Sequence, residues 1–150
     1  MTKSIEEDAA LDALEVASAP PVAKDLVLEV ATPLYPTEDE GAVSRAIWTM
    51  FPELEFAVGK GRMMGIGEGP ASLARFRRRL REMRIRDTAR SMLLDGIGDG
   101  TLAFSLNKQS AVARVPNFST GGAPLGDIEV TIRTVDPEAI AIWLCELDED

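Results

Sequence analysis

Leu73, Phe76, Leu80 and Met83 recur at spacings of three and four, and eight arginines (Arg75, Arg77, Arg78, Arg79, Arg81, Arg84, Arg86 and Arg90) crowd the positions between and beyond them. Apolar residues at that period line one face of a helix. A helix divided in this way has one face that must be covered by apolar partners and another that must stay in contact with water or anions. The rest of the chain therefore has to supply an apolar platform. Ile85, Ala89, Met92 and Leu93 continue the apolar pattern on a shifted phase, which predicts a break or kink between Met83 and Asp87.

The remaining sequence supplies that platform as short strand-like runs. Lys24 to Leu34 is rich in Val and Leu and closes on Pro33 and Pro36, which suits a strand and a turn. Thr37, Glu38, Asp39 and Glu40 read as a capping box with Thr37 at the N-cap. Val43, Ala46, Ile47 and Met50 then recur at helical spacing, with Trp48 and Phe51 flanking, until Pro52. Leu54, Phe56 and Val58 alternate as a strand, and five glycines between Gly59 and Gly69 predict a flexible loop leading to Pro70 at the start of the arginine helix. Further strands are expected at Leu102 to Leu106, Ala111 to Val115 and Ile128 to Ile132, and a last helix at Pro137 to Leu144. The order is β-α-β-α(α)-β-β-β-α, an α+β fold of about five strands.

Charge divides the chain further. The eight clustered arginines are half of the sixteen basic residues of a 150-residue chain whose net charge is −9. The acidity sits at the ends. Residues 1–21 carry five acids against Lys3, and residues 146–150 carry four acids. Residues 1–21 lack the aromatic and β-branched anchors of a core element and read as a mobile acidic arm. Residues 22–145 read as a single α+β domain and 146–150 as an acidic tail. No apolar run approaches the ~18 residues of a membrane span, and no secretory signal is visible, so a cytoplasmic protein with no membrane contact is expected.

The catalytic inventory is poor. There is no histidine, so histidine-based triads and imidazole metal sites are excluded, and the single cysteine, Cys145, has no such base to activate it. Glu38, Asp39 and Glu40 are accounted for by capping rather than by a metal ion. The segment GKGRMMGIGEG lacks both the GKS or GKT ending of a phosphate loop and the GxGxxG spacing. We expect no catalytic residue, no metal and no cofactor.

Binding is better supported. On a helical wheel Arg77, Arg81 and Arg84 climb one flank as a ridge with no acid within it, and a planar guanidinium donates two parallel hydrogen bonds to a phosphate. The bland alternative is a solvated helix face with Arg78–Glu82 and Arg84–Asp87 pairs, each contributing a few tenths of a kcal/mol. Asn107, Lys108, Gln109 and Ser110 fall between two strand-like runs, as the tip of a hairpin would. There they can touch phosphate, base edges or 2′-hydroxyls, or simply serve the turn. Phe118 reads as either a stacking residue or core, and Lys60 and Arg62 as an extension of the basic surface.

The segments ATPLYPTEDEGAVSRAIWTMFPELEF, LREMRIRDTARSMLLDGI, FSLNKQSAVARVPNF and PLGDIEVTI resemble, in order and spacing, an archaeal family of uncharacterised proteins predicted to be RNA-binding subunits associated with the exosome. The resemblance spans roughly residues 24 to 144. It implies a fold like that of large-subunit ribosomal protein five, a mainly antiparallel sheet with helices packed on one side, and it implies RNA as the partner. The chain departs from the family's pattern at Met83, where Gln is common, and at Ser110, where Ala is usual. The resulting expectation is a non-catalytic RNA-binding accessory protein. Arg77, Arg81, Arg84 and Lys108 would hold phosphate, Asn107 and Gln109 would offer base or ribose contacts, and the acidic arm would fold over the basic helix to weaken nonspecific binding. The alternative is an assembly module whose arginine helix docks an acidic partner. A homodimer through an exposed strand edge is compatible with either.

Overall fold

In a computed structural model, residues 5–113, 115, 117–119, 121 and 123–145 are described. The acidic tail 146–150 lies outside them. The elements are helix α1 (Ile5–Ala17), a 3-10 turn (Pro21–Asp25), strand β1 (Val27–Pro33), helix α2 (Glu40–Met50), strands β2 (Glu55–Gly59) and β3 (Arg62–Glu68), helices α3 (Ala71–Glu82) and α4 (Arg86–Asp95), strands β4 (Ile97–Gly98) and β5 (Thr101–Leu106), helix α5 (Lys108–Val112), strand β6 (Ile128–Arg133) and helix α6 (Pro137–Cys145). The strands form one six-stranded sheet in the order β2-β3-β1-β6-β5-β4. Every pairing in it is antiparallel.

Strict alternation gives the sheet two unlike faces. Leu28, Val30 and Thr32 of β1, Met63, Gly65 and Gly67 of β3, Leu102, Phe104 and Leu106 of β5, and Ile128, Val130 and Ile132 of β6 are all buried. The register sets them side by side: Val30 is opposite Gly65 and Val130, and Phe104 is opposite Val130. The helices cover this face. On the other face Glu29, Met64, Ile66, Glu129 and Arg133 lie in partly or fully exposed positions. The α+β class, the mainly antiparallel sheet and the one-sided packing of helices are as expected from the sequence.

The core is built around a run of aromatic rings. Phe51 packs on Phe76 at 5.1 Å between centroids, Phe76 stacks on Phe104 at 5.5 Å, and Phe104 meets Phe118 at 5.6 Å. These contacts tie the end of α2, the inner face of α3, the centre of β5 and the loop before β6 into one column. Phe118 is therefore core, and Leu106 bridges to it. Three of the four residues of the expected stripe, Leu73, Phe76 and Leu80, are fully buried, whereas Met83, the C-cap of α3, is exposed.

Several local expectations change. The glycine segment is not a flexible loop but a β-hairpin. Lys60 and Gly61 make the turn with φ of 54° and 72°, and β3 follows. Close contacts favour glycine within that strand: a Cβ at Gly67 would lie 2.9 Å from the Cβ of Ser72, too near without a shift, and one at Gly65 would lie a tight 3.1 Å from a methyl group of Leu54. The N-cap of α2 is Asp39, which accepts from the amides of Gly41 and Ala42, and not Thr37. The run Ala111 to Val115 is not a strand, because Asn107 caps a short helix, α5, by accepting from the Ser110 amide at 2.8 Å. The break after Met83 is present. Arg84 adopts φ 58°, and α4 starts at Arg86.

The segment expected to be a mobile arm holds helix α1. Its Ala, Leu and Glu residues favour helix, and Glu6, Glu7 and Asp8 in the first turn oppose the positive helix end. α1 has no aromatic residue, and of its β-branched residues Ile5 is exposed and Val16 only half-buried, so charge takes the place of an apolar anchor. α1 lies on α3, and no described helix is long and apolar enough to cross a membrane.

Because Phe76 joins α2, α3 and β5 in the aromatic column, Phe76→Ala is expected to lower unfolding stability by about 3–5 kcal/mol. Urea denaturation of the purified variant checks this.

Candidate nucleic-acid interface

α3 is enclosed on three sides: the sheet lies beneath it, α1 beside its outer flank and α6 beyond. Arginines that a single helix would hold in solvent are thus drawn into an interface. Arg77 is only 3% exposed. Its Nε–H donates to the main-chain carbonyl of Trp143, its Nη1 donates to Glu15, and its guanidinium lies 5.5 Å from the Trp143 ring centroid. Arg81 donates through both terminal nitrogens to the same Glu15 carboxylate. Arg78, also buried, donates to Asp8 and Asp12 at 3.0 Å, and Arg75 forms a two-pronged contact with Asp12. The Arg78–Glu82 pair expected from spacing is present at 3.6 Å.

Glu15 is the centre of this cluster. Burial pushes its carboxyl up, but hydrogen bonds and charge from Arg81 and Arg77 outweigh burial and hold it below the ordinary carboxylate range. A group whose folded pKa is depressed contributes stability at neutral pH that is lost as pH falls through the acid range. For Arg78, burial pushes the guanidinium down, while the hydrogen bonds it donates to Asp12 and Asp8 prevail and raise it. The arginine face of α3 is a cation array already answered by anions from within the chain.

The array opens at the α3–α4 corner. The side chain of Arg81 is 30% exposed beside Glu15. Arg84 stands exposed in the left-handed turn, with its amide donating to the Arg81 carbonyl at 3.2 Å, and Arg90 is exposed on α4. Arg81 and Arg84 of the expected ridge are therefore within reach of a large anion, whereas Arg77 is not.

The expected hairpin tip is the start of α5 and makes a different site. Lys108 is 2% exposed. Its ammonium donates to the carbonyl of Pro33 at 2.7 Å, to that of Leu125 at 2.6 Å and to Glu38 at 3.0 Å, and it lies 5.7 Å from the Tyr35 ring centroid. An ammonium has three N–H donors, and all three are used. Lys108 thus fastens α5 to the end of β1 and the loop before α2, and it presents nothing to a phosphate. The Asn107 Oδ1 accepts at the helix cap, Asn107 is half-buried, and Gln109 alone of the three is exposed. Lys108 and Arg77 of the expected site are both buried on partners within the chain, which leaves Arg81, Arg84, Gln109 and in part Asn107 as its members with exposed surface.

Two features were missed. Asp8, Asp12 and Glu15 recur at spacings of four and three, the signature of one helical stripe, and that signal was present in the segment read as an arm. Trp48, off the apolar stripe of α2, is 57% exposed with Arg45 exposed one turn before it. An exposed indole beside an arginine is a surface on which a base can stack.

Two measurements check these assignments. Lys108→Ala is expected to cost about 3–5 kcal/mol of stability, because it leaves Glu38 buried without its cation. Thermal melting measured from pH 7 to pH 3 should show stability falling once pH drops below about 4.3, and Glu15→Gln, less stable at neutral pH, should show a shallower fall.

A family model described as RNA binding matches residues 27–134. A UPF0201 protein from Thermococcus onnurineus is 38% identical over an alignment covering 82% of this chain and 93% of that protein. One from Methanopyrus kandleri is 40% identical, covering 77% of this chain and 81% of the relative. The crystal structure of a UPF0201 protein from Methanococcus jannaschii superimposes with a TM-score of 0.72 at 27% identity, covering 82% of this chain and 95% of that one. The arginine helix, the α3–α4 corner and α5 all lie within the matched stretch, and α1 precedes it. With the family model covering well over half of its length, this chain belongs to the archaeal UPF0201 family of uncharacterised proteins.

Proposed function

We propose that this protein is a non-catalytic RNA-binding accessory protein that holds RNA through phosphate contacts at the α3–α4 corner, with Arg81, Arg84 and Arg90 as the contacting cations. The observation that carries the reading is that the stretch matched by a model described as RNA binding contains this exposed arginine corner. Guanidinium groups suit the task because each presents a fork of donors to phosphate oxygens and stays charged at any physiological pH. Affinity then comes mainly from phosphate charge, and discrimination from RNA shape, with Trp48 and Gln109 as accessible side chains for a base or ribose. Association with an RNA-processing complex such as the exosome is the natural setting for a small binding subunit without catalytic groups of its own.

One observation favours a second reading. The arginine face of α3 already accepts an acidic helix, α1, through pairs to Asp8, Asp12 and Glu15. A face that takes one acidic helix in cis has the chemistry to take an acidic protein partner in trans.

Binding of a short RNA hairpin measured across a salt series separates the two. The RNA reading expects log affinity to fall linearly with log salt. It also expects Arg84→Ala with Arg90→Ala to make that slope shallower by about one to two phosphate equivalents, with roughly tenfold weaker binding at low salt. No RNA affinity by the folded wild type at low salt would leave the partner-docking reading.

A further inference from the structure

We propose that the N-terminal half of α1 is an in-cis occupant of a phosphate-binding face. On this proposal Asp8 and Asp12 stand where RNA phosphates bind, and RNA competes with them for Arg75 and Arg78. The inference rests on the RNA-binding reading above and extends the site from the exposed corner back along α3. Arg75, Arg78 and Arg81 follow one another at steps of three, neighbours from turn to turn, and lead to Arg84. Covering the first two shortens the accessible ridge to its last members.

The way α1 is held supports release of this half. Among its thirteen residues the one that is buried is Glu15, a charged residue. Leu11 and Val16 are only half-buried and no apolar side chain of α1 is fully covered, so charge pairing supplies its buried contacts. Beside the N-terminal half a cavity of about 600 Å³ remains, lined by Ile5, Ala9 and Ala13 of α1 and by Pro52, Ala71 and Ala74 opposite. The two ends of the helix differ. The C-terminal end is fixed by Glu15 on Arg77 and Arg81 and, just beyond it, by the Trp143 indole N–H donating to the Ser18 hydroxyl at 3.0 Å. At the other end the Asp8 and Asp12 side chains are 30% and 20% exposed, within reach of a competing anion.

The exchange conserves chemistry. A carboxylate and a phosphate both accept the paired donors of a guanidinium, so Arg75 and Arg78 lose no hydrogen-bonding partner when one replaces the other. A polyanion also brings several phosphates at once and releases its own counterions on binding. The stretch matched by the RNA-binding family model begins at residue 27, so α3 lies within it and α1 does not.

The test is the affinity of a short RNA hairpin for three forms of the full chain: wild type, Asp8→Asn with Asp12→Asn, and a control, Glu55→Gln with Glu68→Gln. The control makes the same change in net charge at exposed positions on β2 and β3. Thermal melting confirms that each form is folded, and Asp8→Asn alone serves if the double variant is not. The α1 variant is expected to bind about tenfold more tightly than the control, with a salt slope steeper by one to two phosphate equivalents. Adding Arg75→Ala and Arg78→Ala should remove that gain. Equal affinity of the α1 variant and the control overturns the in-cis occupant while leaving RNA binding at the corner intact. Absence of RNA binding by every form overturns the RNA reading itself.

Discussion

The Glu15 carboxylate between Arg77 and Arg81 is the contact on which the arrangement of this protein's charges depends. An arginine sealed between helices is tolerated only if an anion and hydrogen-bond acceptors accompany it, because an unpaired buried charge costs several kcal/mol. Arg77 has both, the Glu15 carboxylate and the Trp143 carbonyl. The carboxylate joins α1 to α3, and Arg77 carries the connection on to α6 through the Trp143 carbonyl. The same pairing sets how far each arginine is covered: Arg75, Arg77, Arg78 and Arg81 are all answered by carboxylates of α1, with the Arg81 side chain still 30% exposed, and Arg84 in the following turn is exposed.

This division gives the fold a functional logic. The sheet and the aromatic column beneath α3 make a rigid base, with one face buried under helices and the other open. α3 must lie on that base because its apolar stripe has no other cover. Its charged flank then projects away from the sheet, where the position of α1 sets how much of it is accessible. Lys108 shows the opposite outcome for a basic residue. Its three donors are consumed by two carbonyls and Glu38, and its charge serves to hold α5 against the end of β1.

Much of the fold was legible in the sequence because the signals are periodic. The stripe Leu73, Phe76, Leu80 gave α3 and its buried face. Alternation gave β2, β5 and β6, and the phase shift after Met83 marked the turn at Arg84. What was hidden depended on contacts between distant segments. Gly65 and Gly67 looked like loop residues, yet they are strand residues chosen for the close approach of Leu54 and Ser72, which no local pattern reveals. Lys108 looked exposed because its partners, Pro33, Glu38 and Leu125, lie far away in the chain. The acids of the N-terminal segment point to the basic helix as their partner, and they do pair with it, but without an apolar face nothing announced that the segment would do so as an ordered helix. The flank expected to carry Arg77, Arg81 and Arg84 is interrupted, because α3 ends at Glu82 and Arg84 lies in the left-handed turn beyond it, and the burial of Arg77 follows from the packing of α1 and α6.

The central claim is that charge, rather than apolar burial, holds α1 on the arginine helix. Hydrogen exchange of the α1 amides, followed from low salt to about 1 M salt where the screening length falls to about 3 Å, tests it most directly. The account predicts that protection in Asp8 to Glu15 falls as salt rises while the amides of β1 and β6 stay protected. Protection in α1 that is independent of salt and equal to that of the sheet would contradict it.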